Sequence, residues 1–151
     1  MPPELTKDRY HARKLSAKDA KLDYQAVMSS VESIQKTRGG KWPTKELSFE
    51  DDVIDLGWHQ REFENCSSFA YTVMNPEETK CLGCFYLYPM GFRTSIISKN
   101  VDCDVDVSWW VTQEMYDKDF YGELFRDIRV FLKKQWPFLK PYFSNTIIPE
   151  E

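Results

Sequence analysis

The residues best suited to do chemistry lie where a predicted strand runs into a predicted helix. Residues 101–111 alternate apolar and polar side chains, which predicts a half-buried strand, and residues 112–136 predict one amphipathic helix. Free backbone N–H groups at such a helix start often bind anions. This junction, however, has no glycine before Gly122, and it carries acids from Glu114 to Glu123. Its position therefore indicates a phosphate-binding turn, whereas its composition argues against one.

A Cys-x-x-Cys sequence is the second candidate, because this spacing can indicate zinc or redox chemistry. Cys81 and Cys84 lie inside a stretch that reads as a buried strand, where side chains three residues apart point to opposite faces. The chain has only two histidines, and no second cysteine pair has matching spacing. We therefore predict buried free thiols and no metal site.

One face of a helix that we predict to begin after Ser48 is the third candidate. A carboxylate and a histidine at i, i+4 spacing can bind a metal ion, and a solvated helix face explains the same pattern. We favour the solvated face because no further ligand is evident. The predicted solvated residues are Asp52, Asp55, His59 and Glu62, and the predicted buried residues are Phe49, Val53, Leu56 and Phe63.

Composition excludes several classes of protein. The net charge is −4 and no long basic run exists, so we predict no nucleic-acid partner. No stretch approaches the roughly 20 apolar residues that a membrane span needs, and the N-terminus does not read as a signal peptide. We expect a cytoplasmic protein that forms a single domain over residues 1–151.

The elements that must position these residues follow from periodicity, capping residues and turn residues. The order is a strand, helices, three strands, a long helix and a short strand, which indicates an α+β fold with helices on a mixed, mostly antiparallel sheet. The predicted strands are 11–15, 67–74, 80–88, 101–111 and 140–144. The predicted helices are 16–30, a second short helix around Val31 and Ile34 that ends before a loop at Arg38, one that begins after Ser48 and stops at Asn65, and 112–136. The strands 67–74 and 80–88 should form an antiparallel hairpin.

This order of elements resembles the GNAT superfamily of acyl-CoA N-acyltransferases. The likeness covers about residues 10–145. Its most specific parts are Leu15 to Ala20, which is similar to the first strand-to-helix junction of the superfamily, and Leu82-Gly83, which is similar to its third strand. Asp106 to Val111 is similar to the fourth strand. The resemblance implies a GNAT-like sheet that is truncated after the fifth strand.

The resemblance also implies roles for individual residues. Asp106 matches the position of a general base, and Tyr121 could serve as a proton donor. The implied sites are acetyl-CoA binding by Trp110, Val111, Tyr116 and Lys118, and substrate binding by Trp42 and Trp58. The competing interpretation is structural: Asp106 would belong to the solvated face of its strand, which we favour, and the aromatic residues would be packing residues.

Two departures from the family pattern decide the functional prediction. The Arg/Gln-x-x-Gly-x-Gly/Ala motif falls on Tyr116, Asp119 and Tyr121, none of which matches it. The predicted sheet also lacks the strands that the family has after the fifth one. This would leave a sheet edge exposed, and a homodimer that pairs through that edge is one way to cover it. We predict acyl transfer from acyl-CoA to a small amine. The alternative is a non-catalytic GNAT-fold module that binds a small ligand or a protein.

Overall fold

The computed structural model describes residues 2–150, so Met1 and Glu151, the ends of the predicted 1–151 domain, lie outside the described residues. Residues 2–150 form six strands and five α-helices. They are β1 Leu5–Thr6, β2 His11–Lys14, α1 Ala20–Met28, α2 Val31–Arg38, α3 Phe49–Glu64, β3 Phe69–Met74, β4 Cys81–Tyr88, β5 Val105–Val111, α4 Gln113–Asp117, α5 Phe120–Gln135 and β6 Pro141–Phe143.

The strands form one sheet in the order β1-β2-β3-β4-β5-β6. Every neighbouring pair is antiparallel except β5 and β6, which run parallel over three residues. The predicted α+β class and the predicted hairpin are confirmed. The outer strands, β1 and β6, contain two and three residues. The homodimer through a sheet edge stays a prediction.

Helices cover both faces of the sheet. On one face, α5 packs its apolar stripe against alternate residues of the central strands, including Trp109 and Phe85. On the other face, α1, α2 and α3 cover Tyr86 and Trp110. This double cover explains why every residue of β4 and β5 is buried. None of the described helices is long and apolar enough to cross a membrane.

Two helix starts follow their predicted capping residues. The Ser48 side chain accepts a hydrogen bond from the Asp51 N–H group, which begins α3. A short 3₁₀ turn, Ala17–Asp19, precedes α1, and there the Ser16 N–H group donates to the Asp19 carboxylate at 3.0 Å. Both contacts satisfy backbone groups that lack a partner at a helix end.

The predicted strand-to-helix junction differs from the structure at both ends. β5 begins at Val105 and not at residue 101, because Asp104 accepts backbone hydrogen bonds from Leu139 and Lys140 in a turn. The predicted helix 112–136 is two helices, α4 and α5. Asp119 separates them in the left-handed conformation with φ of 64°.

Candidate functional site

A cavity of about 170 Å³ lies between the sheet and the helices α1, α2 and α3. Polar side chains and aromatic rings from four elements line this space, which we call the helix-face cavity. Its lining residues are Leu15, Asp23, Arg38, Trp42, Asp52, Asp55, Leu56, His59, Tyr86 and Tyr88. Sequence reasoning named Trp42 as a ligand-contacting residue, and it missed Asp23, Arg38 and the two tyrosines.

Three carboxyl groups converge on the helix-face cavity. Asp23 comes from α1, whereas Asp52 and Asp55 come from α3. Burial is the main cause that raises the pKa of each of the three carboxyls, and negative neighbours add to it for Asp23 and Asp55. Asp52 is fully buried, and among the described residues neither of its carboxylate oxygens has a hydrogen-bond partner.

His59 enters the cavity from the next turn of α3. Burial, together with the positive charge of Arg38, lowers the pKa of its imidazole to about 4. The ring is therefore neutral at pH 7. Its Nδ1 atom is buried and has no hydrogen-bond partner within residues 2–150, and the ring centroid lies 5.6 Å from that of Tyr86.

Arg38, at the end of α2, supplies the positive charge of the cavity. Its guanidinium carbon lies 4.3 Å from the ring centroid of Tyr86 and 5.9 Å from that of Trp42. Its Nε–H group donates to the Ser108 hydroxyl at 3.2 Å. Three carboxyls thus face one permanent cation, with the neutral His59 beside them.

The prediction for the two faces of α3 is confirmed at Leu56 and Phe63, which are buried, and is wrong at other positions. Asp52 is buried and His59 lies against the cavity, whereas Phe49 is 42% exposed. The prediction of a solvated face is therefore wrong for Asp52 and His59, because α3 packs this face over β4, whose Tyr86 and Tyr88 line the same cavity. Trp58 is 61% exposed and does not line the cavity, so Trp42 and Trp58 are not brought together.

Asp106 lies on β5 but does not line the helix-face cavity. Asp106 is fully buried, so the prediction that it belongs to a solvated strand face is wrong. Its carboxylate accepts hydrogen bonds from the hydroxyls of Thr94 and Ser144, at 2.8 Å and 2.5 Å. These contacts join β5 to the segments that flank it. The role of Asp106 as a general base stays a prediction.

The outer edge of β5 is covered by side chains from the C-terminal part of the chain. Beyond the parallel pairing with β6, the Asn145 side chain accepts from the Trp109 N–H group at 3.1 Å and donates to the Trp109 carbonyl at 2.9 Å. Asn145 also donates to the Tyr121 hydroxyl at 2.7 Å, and that hydroxyl donates to the Ile147 carbonyl at 2.6 Å. We call Trp109, Tyr121, Asn145 and Ile147 the β5-edge cluster.

The predicted cofactor-binding residues lie around this cluster without forming one site. Tyr116 is 38% exposed, with its ring 5.6 Å from that of Tyr121. Lys118 lies in the turn between α4 and α5, 4.0 Å from the Glu114 carboxylate. Trp110 and Val111 are buried. The Trp110 side chain lies on the face of the sheet that α1, α2 and α3 cover, where its indole N–H group donates to the Tyr86 hydroxyl.

The prediction that Cys81 and Cys84 face opposite sides of their strand is wrong. The register between β3 and β4 skips one residue, since Val73 lies opposite Gly83 while Met74 lies opposite Cys81. Such a β-bulge turns the residues beyond it to the other face. Both sulfur atoms consequently lie on the face that α1 covers, near Asp23.

Comparison with solved structures supports the fold that the sequence resembles. A putative ribosomal-protein-serine acetyltransferase from Vibrio cholerae superposes with a TM-score of 0.65 at 12% identity, over 89% of this chain and 70% of that chain. RimL, a ribosomal L7/L12 α-N-protein acetyltransferase in complex with coenzyme A, gives 0.63 at 10% identity, over 86% and 67%. The sequence matches no family model and no curated protein.

A third similar structure is the microcin C7 self-immunity acetyltransferase MccE, in complex with acetyl-CoA and AMP. Its TM-score is 0.58 at 14% identity, over 83% of this chain and 63% of that chain. These similarities show that the chain has the GNAT acetyltransferase fold. At identities this low, a shared fold does not by itself establish a shared reaction.

Proposed function

We propose that this chain, which has an acyl-transfer fold, binds a small amine in the helix-face cavity. The observation that carries this proposal is the excess of carboxyl groups, Asp23, Asp52 and Asp55, over the single cation Arg38 in a cavity with aromatic walls. A bound ammonium group would offset that excess in a place where charges are poorly solvated.

The aromatic walls favour the same class of ligand. Ammonium groups are attracted to the faces of tryptophan and tyrosine rings, and Trp42, Tyr86 and Tyr88 line the space. The Arg38 guanidinium lies closer to the Tyr86 ring, at 4.3 Å, than to the Trp42 ring, at 5.9 Å, so the Trp42 and Tyr88 rings are the more open to a ligand. A volume of about 170 Å³ limits that ligand to a small molecule.

The residues where the resemblance implies acyl-CoA argue against a cofactor held there in this conformation. The N–H groups of Lys118 and Asp119 donate to the Met115 and Tyr116 carbonyls, so they point into their own turn. The Asn145 side chain is hydrogen-bonded to both the main-chain N–H group and the main-chain carbonyl of Trp109 on the β5 edge. The residues present do not fit the diphosphate of acyl-CoA, so we derive no catalytic step through it.

Acyl transfer from acyl-CoA is nevertheless the second candidate function, because similar structures hold coenzyme A or acetyl-CoA. One local observation favours it. Asp119 adopts φ of 64°, the conformation that glycine adopts most readily, at a position where the family motif has glycine. The main chain thus keeps a glycine-like shape although the side chain is acidic.

Thermal unfolding tests both candidates. We would measure the melting temperature with n-propylamine, putrescine and histamine hydrochlorides, against sodium chloride at equal ionic strength. A ligand at 100 times its dissociation constant stabilises a protein by about 2.7 kcal/mol, so binding raises the melting temperature. We expect at least one amine to do so, and we expect Trp42→Ala to abolish the rise.

Trp58→Ala is the matched control, since Trp58 is exposed and lies away from the cavity. It should keep the full response to the amine. If no amine raises the melting temperature, or if both tryptophan variants lose the response equally, the amine proposal fails. A rise with millimolar acetyl-CoA alone would establish cofactor binding and would favour acyl transfer.

A further inference from the structure

The two cysteines that the sequence singled out lie together with a carboxyl group. One ligand atom from each of Asp23, Cys81 and Cys84 lies within 4.8 Å of the other two, and all three residues are buried. The Cys84 sulfur is 3.6 Å from an oxygen of Asp23. With zinc bond lengths of about 2.3 Å to sulfur and 2.1 Å to oxygen, a tetrahedral site separates sulfur and oxygen by about 3.6 Å.

The remaining contacts of these groups are weak. The Cys81 sulfur lies 3.4 Å from the Gly83 carbonyl and 3.7 Å from the Thr72 hydroxyl. The hydrogen bond recorded for the Asp23 carboxylate comes from the Cys84 thiol. A buried carboxylate normally accepts several strong hydrogen bonds or pairs with a cation, whereas the groups that meet Asp23 include the Cys84 thiol and the Asp52 carboxyl, neither of which is a cation.

Asp52 provides an independent indication that a cation belongs beside this cluster. Its side chain is fully buried, neither carboxylate oxygen has a hydrogen bond of normal geometry among residues 2–150, and the carboxyl that interacts with it is that of Asp23. It also faces Asp23, whose carboxyl it perturbs electrostatically. Two buried carboxyls and two thiols therefore share one region, and the described residues supply no ion pair to either carboxyl.

We propose that Asp23, Cys81 and Cys84 bind a divalent transition-metal ion of the zinc class. The two thiolates are soft ligands that favour zinc over magnesium or calcium, and zinc also accepts a carboxylate oxygen as a third ligand. The thiols lose their protons to solvent when the ion binds. The fourth ligand of the tetrahedron is Asp52 or a water molecule. If it is water, Asp52 supports the site through its contact with the Asp23 carboxyl.

The adjoining helix-face cavity gives the ion a path to the site, because Asp23 and Asp52 also line that cavity. The metal proposal does not depend on the amine proposal. The ion uses the end of the cavity formed by α1 and β4. Both cations would draw on the carboxyls of Asp23 and Asp52, so we expect a bound metal ion to weaken the binding of an amine.

Cobalt(II) is the probe for this site, since it replaces zinc in tetrahedral sites and gives a thiolate charge-transfer band. We would strip the full-length reduced chain with a chelator and titrate it with Co²⁺. We expect the band to saturate at one equivalent and to disappear on addition of one equivalent of Zn²⁺. Cys84→Ser and Cys81→Ser should each weaken the band and the affinity.

Cys66 and Cys103 provide matched controls, because they are free cysteines outside the cluster. Cys66→Ser and Cys103→Ser should titrate like the unaltered chain. Asp52→Asn leaves both sulfurs in place and should weaken Co²⁺ binding about 10- to 100-fold, as loss of a supporting carboxylate does in other metal sites. This variant keeps the proposal testable if a cysteine variant fails to fold by circular dichroism.

Three results would overturn the proposal. The first is the absence of a band that saturates at one equivalent in the folded, reduced chain. The second is a band that persists in Cys84→Ser but is lost in Cys66→Ser or Cys103→Ser. The third is a mass loss of 2 Da on mild oxidation together with no metal uptake by the reduced chain, which would identify a Cys81–Cys84 disulfide instead.

Discussion

The helix-face cavity and the β5-edge cluster carry similar residue types but use them in opposite ways. In the β5-edge cluster, the Asn145 amide and the Tyr121 hydroxyl have hydrogen-bond partners at 2.6–3.1 Å. In the cavity, the Asp52 carboxylate and the His59 Nδ1 atom are buried without a hydrogen bond of normal geometry among the described residues, and their polar neighbours are the carboxyls of Asp23 and Glu62. Satisfied polar groups stabilise a fold, whereas unsatisfied ones reduce stability and remain available to a ligand.

The site that the resemblance implies for a cofactor thus holds polar residues with hydrogen-bond partners, and the residues that we propose to bind a ligand lie elsewhere. Substitutions in the two regions should therefore differ in their effects on stability and on ligand binding. A polar residue of the β5-edge cluster should cost stability when removed. A polar residue of the cavity should cost ligand binding and little stability.

Asn145→Ala should have the largest effect. The change removes three side-chain hydrogen bonds and leaves the buried Trp109 main-chain groups and the Tyr121 hydroxyl with fewer partners. Each unsatisfied buried group costs about 1–3 kcal/mol, so we expect a loss of about 3 kcal/mol in the free energy of unfolding in urea. Asn65→Ala, at an exposed asparagine, is the control and should lose less than about 1 kcal/mol.

His59→Gln should alter the pH dependence of stability. The folded pKa of His59 is about 4, below the unfolded value of 6.5, so the unfolded chain binds more protons between these values. Its contribution to stability is present above pH 6.5 and is lost as the pH falls towards 4. Between pH 7.5 and 5 the unaltered chain should lose about 2 kcal/mol more than His59→Gln in urea unfolding. Equal losses would show that His59 is not buried as a neutral ring.

Asp52→Asn should have the smallest effect on stability and the opposite sign. Burial raises the pKa of Asp52, which means that its ionised form destabilises the folded chain. For such a group stability falls as the pH rises through the raised pKa, so a neutral amide removes this penalty at pH 7. We expect a gain of up to about 1 kcal/mol in the free energy of unfolding at pH 7, measured without added metal or amine. A clear loss would place Asp52 among the structural residues.

Much of the fold could be predicted from periodicity and caps, because those patterns are local. Ser48 and the alternation in residues 67–88 gave the correct helix start and hairpin. The two-residue strand β1 gave no pattern to read, and the break at Asp119 depends on a left-handed residue that is not a glycine. The β-bulge at Cys81 depends on the pairing of two strands, which a single strand does not reveal.

The cavity was largely missed for a related reason. Asp23 and Asp52 occupy positions on the apolar stripes of their helices, three residues after Ala20 and Phe49 and four residues before Val27 and Leu56. An acid at such a position indicates a buried polar group, and that signal was available. The sequence gives no local signal for the convergence of α1, α2 and α3 on Tyr86, because that convergence depends on tertiary packing.

The most direct test of the comparison is to follow the indole N–H resonances of the five tryptophans by ¹⁵N NMR. Trp42 reports on the cavity, and Trp109, whose indole donates to the Tyr121 carbonyl, reports on the β5-edge cluster. We predict that the amine that raises the melting temperature most shifts the Trp42 resonance, and that millimolar acetyl-CoA leaves the Trp109 resonance unmoved. A Trp109 shift with acetyl-CoA and an unmoved Trp42 with the amine would contradict the account.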